Sequence, residues 1–190
     1  MASTKPTFLL DVDGVCADFC SAFLDAALRV TGKRFTEDDV EDYDFRSLGL
    51  SQVEEEMVFD AMKEPGLCSK ILPYEGTTWG TDRLAEMCDL HVVTSPFESK
   101  TWCSERERWI HLYIGEDRHN VTFTHRKRDI RGDFLLDDKA STVRAWAKKN
   151  PMGVAMLWHR PWNWEGGYPG VLVSTWDQVI EVVESKLGER

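Results

Sequence analysis

Two acidic residues near the N-terminus, Asp11 and Asp13, are the first that could do chemistry. Asp11 lies near the end of the apolar run 7–12, a predicted strand, and Gly14 follows Asp13. One carboxylate can act as a nucleophile, and a second can act as general acid and base. Gly14 permits a turn that brings Asp13 into the cleft that Asp11 faces. The same residues are also consistent with a loop whose acids cap a helix. Short acidic motifs often arise by chance, so this alternative stays open.

A second acidic pair, Asp137-Asp138, follows the apolar residues 134–136. Adjacent carboxylates at the end of a buried strand repel each other unless a cation offsets their charge. Magnesium prefers oxygen ligands and usually takes one or two carboxylates together with water. The pair therefore predicts a Mg²⁺ site.

Two hydroxyl residues, Thr94 and Ser95, end the apolar run 91–94. Ser95, Pro96 and Glu98 match the pattern of a helix that starts with a serine cap. A helix N-terminus with two hydroxyl groups suits a phosphate, although strand-end and N-cap roles explain both residues without a ligand.

The basic run 125–128 contains Lys127, a side chain that could offset the repulsion between carboxylates and a phosphate dianion. Its neighbours Arg126 and Arg128 make a solvated basic loop an equal alternative. His125 is a further candidate contact for a phosphate or a base.

Alternating strands and helices must position these groups. Helices are predicted over 18–30, 51–62, 77–88, 96–115, 140–149 and from 176 onward, and strands over 7–12, 91–94, 121–124, 134–138, 154–158 and 171–173. On the fourth helix, Trp102, Arg106 and Trp109 share one face. The alternation predicts a mostly parallel sheet covered by helices on both faces. Ligands of such sheets gather beyond the carboxyl ends of the strands, where all the candidate groups lie.

Composition narrows the class of protein. The 190 residues suit one core domain with a small insertion, and 42% hydrophobic residues can fill a core. The net charge of −10 disfavours long nucleic acid as a partner. Five cysteines without paired spacing predict reduced thiols and a cytoplasmic protein rather than disulfides or a zinc cluster. The N-terminal segment predicts neither a signal peptide nor a membrane span.

The combined motifs resemble those of the haloacid dehalogenase (HAD) superfamily, and most of all its 5′(3′)-deoxyribonucleotidases. The segments that carry the resemblance are DVDGVCADF, VVTSPF and FLLDDKASTV, within residues 7–160. The resemblance implies a Rossmann-like α/β core with a small helical cap inserted after the first strand. On this basis we expect residues 1–15 and 76–190 to form the core and 16–75 to form the cap.

The resemblance also implies roles for the motif residues. Asp11 would form an aspartyl-phosphate and bind Mg²⁺, and Asp138 would be the other carboxylate ligand. Asp13 would protonate the leaving oxygen and then activate water, while its backbone carbonyl contacts the metal. Asp137 would orient metal-bound water, and the phosphate would contact the remaining motif residues, Thr94, Ser95 and Lys127.

Less is implied about the rest of the substrate. Phe19 matches an aromatic residue that holds the base in the family. Tyr43 and Phe45 are candidates from the cap, and packing in the cap core is the favoured alternative for both. The aromatic segment 159–170 is predicted to be a loop, and the sequence indicates no function for it.

These observations predict a magnesium-dependent phosphohydrolase that removes phosphate from (deoxy)nucleoside monophosphates. One alternative is a phosphatase for another small phosphomonoester or for a nucleic-acid 3′-phosphate end. Another is a non-catalytic phosphate-binding protein with the same fold, because fold does not imply function. The resemblance favours a homodimer.

Overall fold

A six-stranded sheet forms the centre of the computed structural model, which describes residues 5–115, 120–163 and 170–188. Every strand pairing is parallel, and the strand order is β3-β2-β1-β4-β5-β6. The strands are β1 (Thr7–Leu10), β2 (Asp89–Thr94), β3 (Asn120–Phe123), β4 (Phe134–Asp137), β5 (Val154–Trp158) and β6 (Val171–Val173). The predicted parallel α/β architecture is confirmed. Because β1 lies between β2 and β4, the order reverses at β1, which places a ligand crevice beyond its carboxyl end.

The described residues contain six α-helices. They are α1 (Phe19–Thr31), α2 (Gln52–Met62), α3 (Thr77–Met87), α4 (Trp102–Tyr113), α5 (Ala140–Lys149) and α6 (Trp176–Gly188). The Asp18 carboxylate caps α1 by accepting from the backbone N–H of Ser21, and Ser51 and Glu54 form a capping box on α2. None of the helices in the described ranges has the length and apolar character needed to cross a bilayer.

The central strands are buried on both faces. Phe8 and Leu10 point into one apolar cluster, whereas Leu9 points into another that contains Trp146 of α5. Alternation along a strand sends successive side chains to opposite faces, so each face of β1 has its own core. This double burial fixes the end of β1 and therefore the position of Asp11.

The segment between β1 and α3 is helical, as the sequence predicts. Helices α1 and α2 enclose a separate apolar cluster that includes Phe23, Val58 and Met62. Near the two ends of the segment, Cys16 and Ile71 pack instead in the cluster beneath the sheet. We propose 16–75 as the cap, attached to the core by these two ends.

The start of α4 differs from the prediction. The helix begins at Trp102 rather than at Pro96, and Ser95 caps no helix. The ring of Phe97 packs against Phe19 and Trp102, with the Phe97 and Trp102 ring centroids 5.0 Å apart. Residues 95–101 follow an irregular path around this partly buried ring, although their residue types favour a helix.

Candidate active site

A tight loop follows β1 and shapes the centre of the site. The backbone N–H groups of Cys16 and Ala17 both donate to the carbonyl of Val12, at 2.8 Å. Gly14 takes φ +79°, a left-handed conformation that residues with a Cβ rarely adopt. The chain therefore turns directly after Asp11, as the glycine indicates.

Lys127 links the two acidic motifs. It lies in a short 3₁₀ turn after β3, and its Nζ is 2.6 Å from Asp11 Oδ2 and 2.8 Å from Asp137 Oδ2. All three side chains are buried, so the solvated-loop alternative is wrong for Lys127. Burial alone would lower the pKa of Lys127, but Asp11 and Asp137 raise it above its usual value. The lysine is therefore a permanent cation between the motifs.

The carboxylates of Asp11, Asp137 and Asp138 form a buried cluster whose nearest oxygens lie within 4.8 Å of one another. Both oxygens of Asp137 are engaged, one by Lys127 Nζ and the other by the backbone N–H of Lys139, at 2.8 Å each. Asp11 is engaged in the same way, by Lys127 Nζ at 2.6 Å and by the backbone N–H of Val12 at 2.7 Å, so these contacts do not separate Asp11 from Asp137 as metal ligands. Oxygen donors of this kind suit Mg²⁺.

The electrostatics of this cluster also fit a divalent cation. Burial, and then the charge of Asp137, raise the pKa of Asp138 to about 7. Burial and Asp137 likewise raise the pKa of Asp11 well above its usual value, although Lys127 opposes them. A bound cation would offset this like-charge repulsion and favour the ionised carboxylates.

Asp13 faces the site with a partner that sequence reasoning missed. The Nη2 of Arg106 on α4 lies 2.5 Å from Asp13 Oδ1. Arg106 is fully buried, and its guanidinium lies 5.2 Å from the ring centroid of Trp102 and 5.1 Å from that of Trp109. Burial raises the pKa of Asp13, whereas Arg106 and Lys127 lower it. A charged residue on the apolar face of a predicted helix was the signal that could have revealed this pair.

Thr94 and Ser95 stand at the end of β2, and both line the cavity above the carboxylates. Thr94 is fully buried, and its Oγ1 has no hydrogen-bond partner among the described residues. A buried hydroxyl without a partner is costly, so a ligand oxygen would satisfy it. Ser95 Oγ donates to the carbonyl of Thr124 at 3.3 Å. The predicted helix N-terminus at Ser95 is wrong, so any phosphate contact here relies on side chains and loop backbone.

The cavity itself has a volume of about 560 Å³ and two kinds of wall. Charged residues of its lining are Asp11, Asp13, Lys127 and Asp138. The lining also includes the aromatic rings of Phe19, Phe45, Phe59, Phe97 and Trp102. Such a cavity suits a ligand with a charged end and a flat apolar end.

The three remaining candidates for substrate contact also line this cavity. Phe45 stacks on Phe23 with ring centroids 3.9 Å apart, so it serves both cap packing and the cavity wall. Tyr43 is 43% exposed, and Lys139 Nζ lies 3.8 Å from its ring centroid, so packing in the cap core is wrong for Tyr43. His125 is exposed at the rim.

A second group that the sequence did not indicate comes from residues 160–163, after β5. Arg160 Nε donates to the carbonyl of Gly14 at 2.7 Å, and Trp162 Nε1 donates to Asp138 Oδ2 at 3.0 Å. Asn163 Nδ2 donates to the backbone carbonyl of Asp138 at 2.8 Å. The predicted loop 159–170 thus reaches the acidic cluster, and its residues 164–169 lie outside the described part of the chain.

Comparison with known proteins identifies the family. A family model described as "5' nucleotidase, deoxy (Pyrimidine), cytosolic type C protein" matches residues 5–186. The chain belongs to this family. The resemblance seen in the motifs is confirmed, and the protein is a phosphomonoester hydrolase of the nucleotidase type.

Individual relatives agree with this assignment. A protein of Bordetella pertussis (strain Tohama I), named "Putative 5'(3')-deoxyribonucleotidase", is 28% identical over 166 residues, which cover 82% of this chain and 84% of that protein. A HAD-superfamily hydrolase of subfamily IA from Geobacter sulfurreducens superposes with a TM-score of 0.61 and 15% identity, over 96% of this chain and 100% of that chain. A HAD-type hydrolase from Bacillus subtilis bound to magnesium gives a TM-score of 0.61 and 11% identity, over 95% and 99%. The two solved structures show that the fold is that of HAD hydrolases.

Proposed function

We propose that this protein is a magnesium-dependent phosphohydrolase that removes phosphate from (deoxy)nucleoside monophosphates through an aspartyl-phosphate on Asp11. The observation that carries the proposal is the buried cluster in which Lys127 Nζ lies 2.6 Å from Asp11 Oδ2, beside Asp137 and Asp138. When all three carboxylates are ionised, as a bound cation favours, they outnumber the single lysine and leave a net negative site for a divalent cation, which in turn can hold a phosphate ester.

The reaction follows from the placement of two carboxylates. Asp11 Oδ forms a bond to phosphorus while the ester P–O bond breaks, and Asp13 gives its proton to the leaving alkoxide. Water then forms a bond to phosphorus, Asp13 takes the proton from that water, and the bond between Asp11 and phosphorus breaks. The raised pKa of Asp13 favours the protonated form that the first step needs.

Other residues bind the phosphoryl group and the metal. Lys127 and the Thr94 hydroxyl, which has no partner among the described residues, would contact phosphate oxygens together with Ser95. Asp11 and Asp138, with the backbone carbonyl of Asp13, would hold Mg²⁺, which offsets charge on the phosphate when it is bound.

The nucleoside end of the substrate would occupy the aromatic part of the cavity. Phe19 and Phe97, with ring centroids 6.0 Å apart, belong to an apolar wall that a base can contact. The description of the family model names deoxy and pyrimidine nucleotides, which makes dUMP and dTMP the first substrates to test. We also propose a cytoplasmic location and a homodimer. Size-exclusion chromatography with light scattering measures the molecular mass in solution and tests the dimer.

The test is a panel of phosphoesters with phosphate release as the readout. It contains deoxynucleoside and ribonucleoside 5′- and 3′-monophosphates, sugar phosphates and an oligonucleotide with a 3′-phosphate, each with Mg²⁺ and with EDTA. We expect the highest kcat/KM for a deoxynucleoside monophosphate, no release with EDTA and recovery when Mg²⁺ is added back. If sugar phosphates exceed every nucleotide, the substrate class is wrong, and full activity in EDTA would contradict the metal dependence.

A further inference from the structure

Residues 160–163, called the strap from here on, contact the acidic cluster from outside the HAD motifs. Trp162 Nε1 donates to Asp138 Oδ2 at 3.0 Å, and Asn163 Nδ2 donates to the Asp138 backbone carbonyl at 2.8 Å. Asn163 is buried, and its Nδ2 also donates to the carbonyl of Trp158 at 2.6 Å. The strap therefore holds both the side chain and the backbone of one acidic residue.

The other contact of the strap is with the loop that carries the nucleophile. Arg160 Nε donates to the carbonyl of Gly14 at 2.7 Å, and its guanidinium lies 3.6 Å from the ring centroid of Tyr74. Gly14 and Asp138 are themselves in close contact, because a Cβ placed on Gly14 would lie 2.1 Å from Asp138 Oδ2. The strap thus binds both sides of the contact between the catalytic loop and Asp138.

The ring of Trp162 has its own support. It is partly buried against the apolar cluster enclosed by α1 and α2, and this packing directs its N–H toward Asp138. One oxygen of the Asp138 carboxylate is thereby engaged by a donor. This arrangement favours Oδ1 as the oxygen that binds a cation, and it restricts rotation of the carboxylate.

We propose that Trp162 is a positioning residue that orients Asp138 and thereby sets the affinity of the acidic cluster for its metal ion. The proposal rests on the proposed role of Asp138 as a metal ligand. Hydrogen-bond partners of ligating groups fix the orientation of the ligand, and their loss typically weakens metal binding by roughly 10–100-fold. Trp162→Phe removes the donor and keeps an aromatic ring against the apolar cluster.

The test measures metal binding without substrate. Mn²⁺ binding is followed by electron paramagnetic resonance, and Mg²⁺ is measured by competition, in the unmodified protein, Trp162→Phe and the control Trp79→Phe. Trp79 is a 47% exposed residue of α3. We expect the Kd for Mn²⁺ to rise roughly 10–100-fold in Trp162→Phe, as for other lost partners of ligating groups, and to stay unchanged in Trp79→Phe.

Enzyme kinetics add a readout that a merely structural role would not move. In Trp162→Phe the Mg²⁺ concentration for half-maximal activity should rise by the same factor as the Kd, while kcat at saturating Mg²⁺ is largely retained. A lower kcat with unchanged Mg²⁺ dependence would overturn the positioning role.

A spectrum of the unmodified protein keeps the test independent of how the variant folds. In indole ¹H–¹⁵N spectra, the assigned Trp162 resonance should shift on addition of Mg²⁺, and that of Trp79 should not. If the unmodified protein binds neither metal, the proposed metal site fails. If the unmodified protein binds metal, but Trp162→Phe binds it equally tightly or the Trp162 resonance does not shift, then only the proposed role of Trp162 is wrong and the metal site stands.

Discussion

Replacing Arg106 by Met tests whether the pair with Asp13 stabilises the fold and positions the catalytic acid. The change deletes a fully buried cation whose Nη2 lies 2.5 Å from Asp13 Oδ1. Removing one partner of a buried ion pair costs about 3–5 kcal/mol, because the other charge is left unpaired. The Asp13 side chain is 25% exposed, so water can partly solvate it, and we expect the lower end, about 3 kcal/mol.

The variant should also lose activity, because Asp13 no longer has a fixed partner. A general acid–base group contributes roughly 10²–10⁴-fold to the rate. Arg106→Met keeps the Asp13 carboxyl but no longer holds it in place, so we expect kcat to fall by a part of that factor, about tenfold or more. Arg106 lowers the pKa of Asp13, so its removal should raise that pKa and move the alkaline limb of kcat/KM to higher pH.

The matched control is Arg108→Met, which removes an exposed arginine from the same helix. Urea unfolding gives the change in free energy, and phosphate release over a range of pH gives the activity. We expect Arg108→Met to stay within about 0.5 kcal/mol of the unmodified protein, as surface substitutions usually do. If Arg106→Met matches Arg108→Met in stability and in rate, the reasoning about the buried pair is refuted.

Two further predictions concern a turn and a titrating side chain. Gly14→Ala should abolish phosphate release, because Gly14 has φ +79° and the added Cβ would lie 2.1 Å from Asp138 Oδ2. Gly32 has φ +73° and open space around it, so Gly32→Ala should lower the free energy of unfolding in urea by only about 1–2 kcal/mol and leave kcat unchanged. Equal activity of the two variants would contradict this account. Burial lowers the pKa of His91 in the folded chain, so the unfolded chain binds more protons and the free energy of unfolding should fall as pH drops below about 6.5. His91→Gln should reduce this loss between about pH 7 and pH 5.5, and an unchanged pH dependence would exclude His91 as its source.

Much of the fold was predictable because each signal is local. The buried strands are short apolar runs, and the sequence-based and observed bounds agree at β5, β6 and α5. Parallel strands then bring their polar carboxyl ends to one edge, which is why the order of the motifs along the chain was enough to group Asp11, Lys127 and Asp138. The parallel topology of the sheet brings the separate motifs together in one site.

The start of α4 was predicted wrongly because a local pattern competed with burial. Ser95, Pro96 and Glu98 match a helix start, yet Phe97 gains contacts with Phe19 and Trp102 that a helix beginning there would have to rearrange. Capping contributes on the order of 1 kcal/mol, whereas fully burying a large apolar side chain contributes about 1.5–3 kcal/mol. The partly buried Phe97 ring gains a part of the second amount, which is comparable with the capping that is lost.

The supporting residues were not predictable for a different reason. Trp162 lies 24 positions from Asp138, and Arg106 lies 93 positions from Asp13. No fixed sequence spacing predicts such pairs, because several helices, strands or loops lie between the two residues. The sequence gives one signal for Arg106, a charged residue on an apolar helix face. It gives none for Trp162, which is one aromatic residue among several in its segment.

The most direct test of the central claim is to trap the phosphorylated protein. The enzyme is mixed with ³²P-labelled dUMP and Mg²⁺ and quenched in acid within milliseconds, and the label is then located by peptide mapping. Because Asp13 serves both steps, the unmodified protein is the one to trap, and it should carry hydroxylamine-sensitive label on Asp11. Asp11→Asn should carry no label and release no phosphate, and full activity in Asp11→Asn would contradict the account.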